Sequence, residues 1–565
     1  MTGSDRSRPL SLTAQFAHGT VCLLQAEIPA MSVPTASSRS FWLPLIVLLA
    51  MLLGYSAIDA PIPGVNEPHY LTKARNFYDP AWCAGDLFLE SGNAHWVFYV
   101  VMGPLTQLWE LPVVAAVGRV AALLIVAVGW QMLATTLVGW TWAGVTSASL
   151  FLLLQTLGNW SGEWLVGGVE SKVFAYGLVL IGWAYLLRRR PVPAAVGLGL
   201  ATSFHPVVGM WCTLCGLFAV VVNRFLPRLP VDPDAPAPPH TSETSSASQG
   251  WKHLLAAGLL FVVTASPGLV TAASAALIAP PDVAWRADYI QVSYRLSHHL
   301  DPLTFNVRDY RYYGLLIVLW GLLRFHSRRS VRMRLWELIA LGAVLAALAG
   351  IALAWGPRPW KEVPWFELRM KLLKFYPFRV ADLTIPMGVS FACVNAFIRP
   401  AAGVVGRRRT AILVGVTLAG FCVALLGARS NRPPSGLSGE DEAAWIDALE
   451  WVRENTPKET LLWAADEKWA VKWYADRPEY VNFKDCPQDP ESIVEWNSRL
   501  RKLSKWRVAA LRDGRCTIEE LADLRSDTGI TCLICRRFGP IEAAPDYRSG
   551  PFRVYLLPES PDVCE

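Results

Sequence analysis

Charge is scarce in this chain. Only 17% of its 565 residues are Asp, Glu, Lys or Arg, 53% are hydrophobic, and the mean hydropathy is +0.30. An ordinary soluble fold does not carry that balance, so many membrane spans are expected. The net charge of +6 is modest, and no basic stripe points to nucleic acid. No Gly-rich phosphate loop, nucleophile-elbow serine or HExxH pair occurs, which removes the familiar nucleotide, serine-hydrolase and zinc-protease chemistries. No internal repeat is visible, which counts against an inverted-repeat transporter. Cysteine is sparse, 11 in all. "CLIC" (Cys532–Cys535) lies in a strand pattern rather than at a helix start, so it reads as neither a redox pair nor half of a zinc site.

Long apolar runs are what the sequence has instead. They suggest spans near 41–58, 111–137, 142–157, 170–187, 192–204, 207–226, 252–278, 311–325, 334–355, 383–398 and 410–427. A twelfth stretch, "WVFYVVMGPLTQLW" (96–109), is too short and reads as a re-entrant or interfacial helix. The 25 Trp fit interfacial belts. With about eleven spans, the loops bearing Arg188–Arg190, Arg224 and Arg228, Arg324 to Arg334, and Arg399 to Arg409 fall on one side. The positive-inside rule makes that side cytoplasmic. A twelfth span would put the 188–190 triplet outside.

The expected organisation is a polytopic α-helical membrane protein with a C-terminal α/β domain outside the membrane. Residues 1–40 read as a disordered cytoplasmic tail without a cleavable signal peptide, and Met31 is an alternative start. Residues 41–428 form the transmembrane domain, with a first outer loop at 59–110. The Pro- and Ser-rich stretch 229–250 reads as a disordered cytoplasmic linker. From 429 to 565 helix and strand patterns alternate: "EDEAAWIDALEWVREN", "EKWAVKWYAD", "PESIVEWNSRLRKL" and "TIEELADLRSD" as helices, and "TLLWAA", "PEYVNF", "GITCLICRR" and "FRVYLLP" as strands. Outside the membrane, Cys83, Cys486, Cys516, Cys532, Cys535 and Cys564 would be free to form disulfides.

Chemistry is expected in the outer loops. In "NEPHYLTKARNFY", Pro68 suits the first position of a helix, and Glu67 caps it in line with an apolar arc of Tyr70, Leu71, Ala74, Phe77 and Tyr78. Lys73, Arg75 and Asn76 fall outside or at the edge of that arc. The helix N-terminus favours the Glu67 carboxylate while apolar surroundings favour the acid, a setting that can tune a general base. A plain helix-terminal charge is the simpler reading. The segment 355–382 carries Arg358, Lys361, Arg369, Lys371, Lys374 and Arg379 against the positive-inside rule. A lipid phosphate or anionic headgroups would explain that. "NWSGEWLVGGVESK" places Glu163, Glu170 and Lys172 at a span mouth. His205 reads as a helix end, and His298, His299 and Asp301 as a weak metal or acceptor site, since adjacent histidines splay apart.

This layout resembles the GT-C superfamily of membrane glycosyltransferases, which includes protein O-mannosyltransferases and lipid A aminoarabinose transferases. The likeness rests on Asn66 and Glu67 in the first outer loop, where many members have two acids. It also rests on "GDLFLESGNAHWVFYVVMGPL" with Asp86 and His95, on Arg119 in "VGRVAALL", and on "YPFRVADLTIPMGVSFA" with Arg379. It covers most of residues 41–430 in layout. The resemblance implies transfer of a sugar from a polyprenyl-phosphate carrier to a glycan, lipid or protein acceptor. Glu67 would then be the base, with Asn66, Asp86, His95, Arg119, Arg369, Lys371, Lys374 and Arg379 as binding residues. It implies no firm cofactor or metal site, and a multi-pass cell-membrane location with the C-terminal domain outside. The alternatives are a non-catalytic protein of this fold that shows its outer domain to cell-envelope partners, or a lipid or solute transporter.

Overall fold

A computed structural model describes residues 38–227, 247–277, 279–327, 330–398, 404–429 and 433–559. The expected tail up to residue 37, the linker at 229–246, and Cys564 lie outside the described residues. The ends of the expected tail, 1–40, and of the expected linker, 229–250, are helical instead, since the helices Ser38–Asp59 and Ala247–Leu277 begin there.

Each of the eleven apolar stretches is a helix. They are Ser38–Asp59, Leu111–Val138, Ala143–Leu157, Ser171–Leu187, Pro191–Phe204, Pro206–Phe225, Ala247–Leu277, Val307–His326, Val331–Ala354, Arg379–Phe397 and Val404–Arg429. Seven are long and apolar enough to cross a membrane. Local chemistry sets several boundaries. Gly139, at φ 75°, takes the left-handed C-cap of Leu111–Val138. Pro191 and Pro206 open their helices, where a missing N–H costs nothing. Gly129 and Gly177 let two helices touch, since a Cβ on Gly129 would lie 2.6 Å from the Gly177 carbonyl oxygen. Small residues permit this kind of backbone approach where both surfaces are apolar.

Trp96–Leu108 lies alongside the helix Glu67–Tyr78. Tyr78 Oη donates to the Val100 carbonyl at 3.3 Å, and the Tyr70 and Phe98 rings sit 5.4 Å apart. The expected amphipathic face of Glu67–Tyr78 needs correction: Lys73 and Asn76 are buried as well. The loop after the helix folds back over its polar side and offers carbonyls. Lys73 Nζ donates to Phe88 O at 2.6 Å and to Ser91 O at 3.0 Å, and Asn76 donates to Trp82 O.

The C-terminal domain holds a four-stranded sheet in the order β1-β2-β4-β3. Its strands are β1 (Leu462–Ala464), β2 (Cys532–Cys535), β3 (Tyr547–Ser549) and β4 (Phe552–Leu556). β1 and β2 are parallel, while β4 runs antiparallel to both β2 and β3. Helices Gly439–Asn455, Val471–Ala475, Pro490–Ala509 and Ile518–Thr528 accompany it. Ser438 and Asp489 cap two of these, and Thr517 with Glu520 forms a capping box on a third. "PEYVNF" makes only a single bridge, Leu462 to Glu479, rather than a strand. The described cysteines are all free, with Cys532 and Cys535 buried in β2.

Candidate functional site

A polar cavity of about 590 Å³ lies where the membrane helices meet the C-terminal domain. Its lining draws on alternate connections of the bundle. Asn66 follows the first of the eleven helices and Glu163 stands between the third and fourth. His205, Arg295 and Arg379 come from the next alternate connections, and Lys484 follows the last. Such alternation is what eleven up-and-down helices produce when every second connection lies at the same end. It leaves Trp96–Leu108 within the first of those connections.

One wall is the loop 158–170, which two buried carboxylates pin at its ends. Asp382, in the first turn of Arg379–Phe397, accepts from the backbone N–H of Trp160 (2.6 Å), Ser161 (2.8 Å) and Glu163 (3.0 Å), and from Ser161 Oγ (2.9 Å). At the other end Glu67 Oε1 accepts from Val169 N at 2.8 Å. A Cβ on Gly168 would stand 3.1 Å from the Glu67 carboxylate, so the glycine lets the loop come this close.

Glu67 is filled. Arg119 grips it in bidentate fashion, Nε to Oε1 at 2.6 Å and Nη2 to Oε2 at 2.7 Å, and Gly64 N donates to Oε2 at 2.6 Å. Arg119 also donates to Ala60 O. The Glu67 side chain is 0% exposed, and it sits behind the cavity wall rather than in it. The expectation of a proton-accepting Glu67 therefore meets a different geometry. Each oxygen already accepts twice, and the carboxylate holds the first loop, the second helix and the 158–170 loop together.

At and just beyond the two pins stand the polar groups of the wall. Glu163 Oε2 lies 2.8 Å from Arg379 Nε, while its Oε1 is buried with no hydrogen-bond partner. Lys172 Nζ is 3.7 Å from Glu163 and 3.6 Å from Glu170, and it sits 4.0 Å above the Trp164 ring. Glu170 Oε1 accepts from Asn66 Nδ2 at 2.6 Å. Glu170 lies in the loop ahead of its helix, and burial pushes its carboxyl up despite Lys172 and the Asn66 bond. Arg379 stacks 4.0 Å over Tyr376, with Nη1 3.2 Å from His205 Nε2. His299 faces the same space, its Nδ1 2.5 Å from Ser161 O. Burial lowers His299 to about 3, which leaves it neutral.

The roof comes from the C-terminal domain through Lys468, Phe483, Lys484 and Gln488. Arg295, on the single-turn π-helix Ile290–Arg295, reaches up to it. Its Nη2 donates to Lys484 O at 2.9 Å, and its guanidinium lies 5.3 Å from the Phe483 ring centre. Lys468 Nζ lies 4.7 Å from the same ring centre. Lys484 Nζ donates to Val65 O, and burial lowers this lysine to about 8. A buried hub fastens the roof to the first loop. Lys472 contacts Asp485 (2.6 Å), Glu479 (2.7 Å) and Asp86 (3.3 Å), and His69 lies 3.0 Å from Asp485. Burial raises Asp485, but Lys472 and His69 outweigh it and hold the carboxyl below its ordinary range.

Of the residues expected from sequence, Asn66 and Arg379 line the cavity. Glu67 and Arg119 form the closed clamp. Asp86 caps the short helix Leu87–Glu90 and belongs to the Lys472 hub. His95 sits just behind the wall, 3.1 Å from Ser171 Oγ and 3.3 Å from Gln488 Nε2. Arg369 donates to the carbonyls of Leu353 and Trp355, Lys374 pairs with Asp288 at 2.6 Å, and Lys371 is exposed. Those three lie away from the cavity. Arg295, Lys468 and Lys484 carry no sequence signal of their own. Glu163, Glu170 and Lys172 do, as ionisable groups crowded at a span mouth. Among the described residues, no three His, Cys, Asp or Glu side chains are grouped to hold a metal ion.

Residues 443–503 match the family DUF6798, a domain of unknown function. That stretch includes most of the cavity roof. No curated protein matches the chain in sequence. Among solved structures, the chain is similar to the crystal structure of ArnT from Cupriavidus metallidurans bound to undecaprenyl phosphate. The two share 13% identity at a TM-score of 0.48, covering 92% of this chain and 98% of that one.

Proposed function

We propose that this chain transfers a sugar from a polyprenyl-phosphate carrier to an acceptor at the outer face of a cell membrane. The carrying observation is the cavity. It sits at the junction of apolar helices and the C-terminal domain, and it presents Arg379, Lys172, Arg295, Lys468 and Lys484 against two carboxylates, Glu163 and Glu170. An amphiphile with an anionic head would fit both features. Its prenyl chain would rest among the helices and its phosphate among the cations.

In the reaction, an acceptor hydroxyl oxygen bonds to the anomeric carbon while the bond from that carbon to the phosphate oxygen breaks. The carbon inverts and the prenyl phosphate leaves with the electron pair. Arg379 neutralises charge as it builds on the phosphate. Glu170 takes the hydroxyl proton. Asn66 fixes one of its oxygens, its other oxygen has only the looser Lys172 contact, and its raised carboxyl is a stronger base than an ordinary glutamate. Asn66, standing where the superfamily pattern has an acid, thus serves as the donor that aims one. Glu163 Oε1, buried without a donor, would accept from a sugar hydroxyl.

Membranes carrying the full chain, supplied with polyprenyl-phosphate sugars labelled in the sugar, should move label off the carrier. Arg379→Gln and Glu170→Gln should each slow that movement strongly. Transfer unchanged in both variants would overturn the reading.

A further inference from the structure

The cavity's charges divide unevenly. On the wall, Arg379 has Glu163 and Lys172 has both glutamates. At the roof, Arg295 and Lys468 share the Phe483 ring and Lys484 stands beside it on the lining; among the described residues none of the three makes an ion pair with a carboxylate, and Glu170 attracts Lys484 only at longer range. The nearest acid in sequence, Asp485, is already engaged by Lys472 and His69. Arg295 Nε is buried and has no hydrogen-bond partner, and burial weakens the hold of Lys484 on its proton. Arg295 is costly to keep in this state without a ligand, because an N–H of a cation is desolvated there without compensation, while exposed Lys468 and half-buried Lys484 add positive charge beside it.

We propose that Arg295, Lys468 and Lys484 form a second oxyanion subsite, separate from the Arg379 wall, which binds a phosphate-class or carboxylate group. This rests on the transfer reading given above and extends it. The substrates together bring two anionic groups into the cavity, and the C-terminal domain reads the second. That group is either the outer phosphate of a diphosphate carrier or an anionic substituent on the acceptor. Phe483 positions the site by holding Arg295 and Lys468 through its ring face.

The test uses the full chain in detergent, with thermal stabilisation as readout and three probes: geranyl phosphate, geranyl diphosphate and inorganic phosphate. With geranyl phosphate at saturation, added inorganic phosphate should still raise the unfolding temperature. The double variant Lys468→Gln/Lys484→Gln should lose that second increment and keep the first, and Arg379→Gln should do the reverse. If geranyl diphosphate removes the phosphate increment, the second anion belongs to the carrier. If the increment survives geranyl diphosphate, it belongs to the acceptor. Straight competition between geranyl phosphate and inorganic phosphate, or loss of both increments in the double variant, would overturn the second subsite. Failure of the transfer reading looks different: geranyl phosphate would stabilise no better than geraniol, while inorganic phosphate would still act through Lys468 and Lys484.

Discussion

Two glutamates near the cavity show how differently the same side chain can be used. Glu67 is gripped by Arg119 and by two backbone N–H groups, with both oxygens filled and no exposure. Glu170 faces the cavity with one oxygen fixed by Asn66 and the other only loosely paired. The closed pair can organise three segments, but it has no lone pair to spare for a substrate. The open one can accept a proton and contributes less to holding the fold. A carboxylate's role follows from how many of its lone pairs are already occupied, more than from its place in a motif.

Breaking the closed pair should have the largest effect. Arg119→Leu leaves Glu67 buried and unpaired, at a cost of about 3–5 kcal/mol. A marked fall in unfolding temperature and yield is expected, measured by thermal denaturation of the full chain in detergent. The double variant Glu67→Leu/Arg119→Leu should recover part of the loss. A single variant as stable as the parent would contradict the clamp.

Glu170→Gln sharpens the contrast from the other side. The amide preserves shape and can still accept from Asn66, so the unfolding temperature should hold. Transfer should fall roughly 10²–10⁴-fold, the usual contribution of general base catalysis. Because burial raises the Glu170 carboxyl, the parent's rate should climb with pH above the ordinary glutamate range as the base deprotonates. The variant should lose that limb. A pH–rate profile with identical acid limbs in parent and variant would remove Glu170 from the role.

Asp382→Asn tests the pin shared by the two regions. An amide keeps one oxygen and puts an NH2 in place of the other, against either the N–H of Trp160 or those of Ser161 and Glu163, so the loop should shift and stability should drop by about 1–3 kcal/mol. Asp382 is a positioning residue here. Its loss should lower kcat by about 10²-fold, as a roughly 1 Å displacement of reacting groups would. Affinity for geranyl phosphate should stay close to the parent's, and an equal loss in both would mean general unfolding of the wall.

Much of this architecture could be read from the chain. Long apolar runs became helices because a helix satisfies every backbone group within its own segment. Arg379 stood out as a cation at a span mouth on the side expected to be outside, where the positive-inside rule disfavours cations, and it does line the cavity. Lys371, Arg369 and Lys374 gave the same signal, yet the latter two are taken up by neighbouring carbonyls and Asp288. Local sequence cannot tell those outcomes apart, because each partner is fixed by packing. The Glu67 clamp is of the same kind: Arg119 lies 52 residues away and meets it only once the second helix is in place. The roof is further still from local reading, since Lys484 reaches the site by folding a separate domain back over Val65.

The smallest expected effect separates the roof from the wall by pH. Lys484, lowered to about 8 by burial, is mostly charged at pH 7 and mostly neutral at pH 9, whereas Arg379 keeps its charge throughout. Phosphate affinity measured on top of saturating geranyl phosphate should therefore fall by up to about tenfold across that range, the limit set by one proton. Stability without ligand should move the opposite way. The unfolded lysine binds its proton up to the ordinary value of 10.5 and the folded one only to about 8, so unfolding takes up a proton between these values and the fold gains stability as pH rises through them. Lys484→Arg should flatten both trends while preserving phosphate binding at high pH. If the phosphate affinity of Lys484→Arg still falls from pH 7 to 9 as the parent's does, the titrating group lies elsewhere, and the roof lysine is not the cation that reads the second anion.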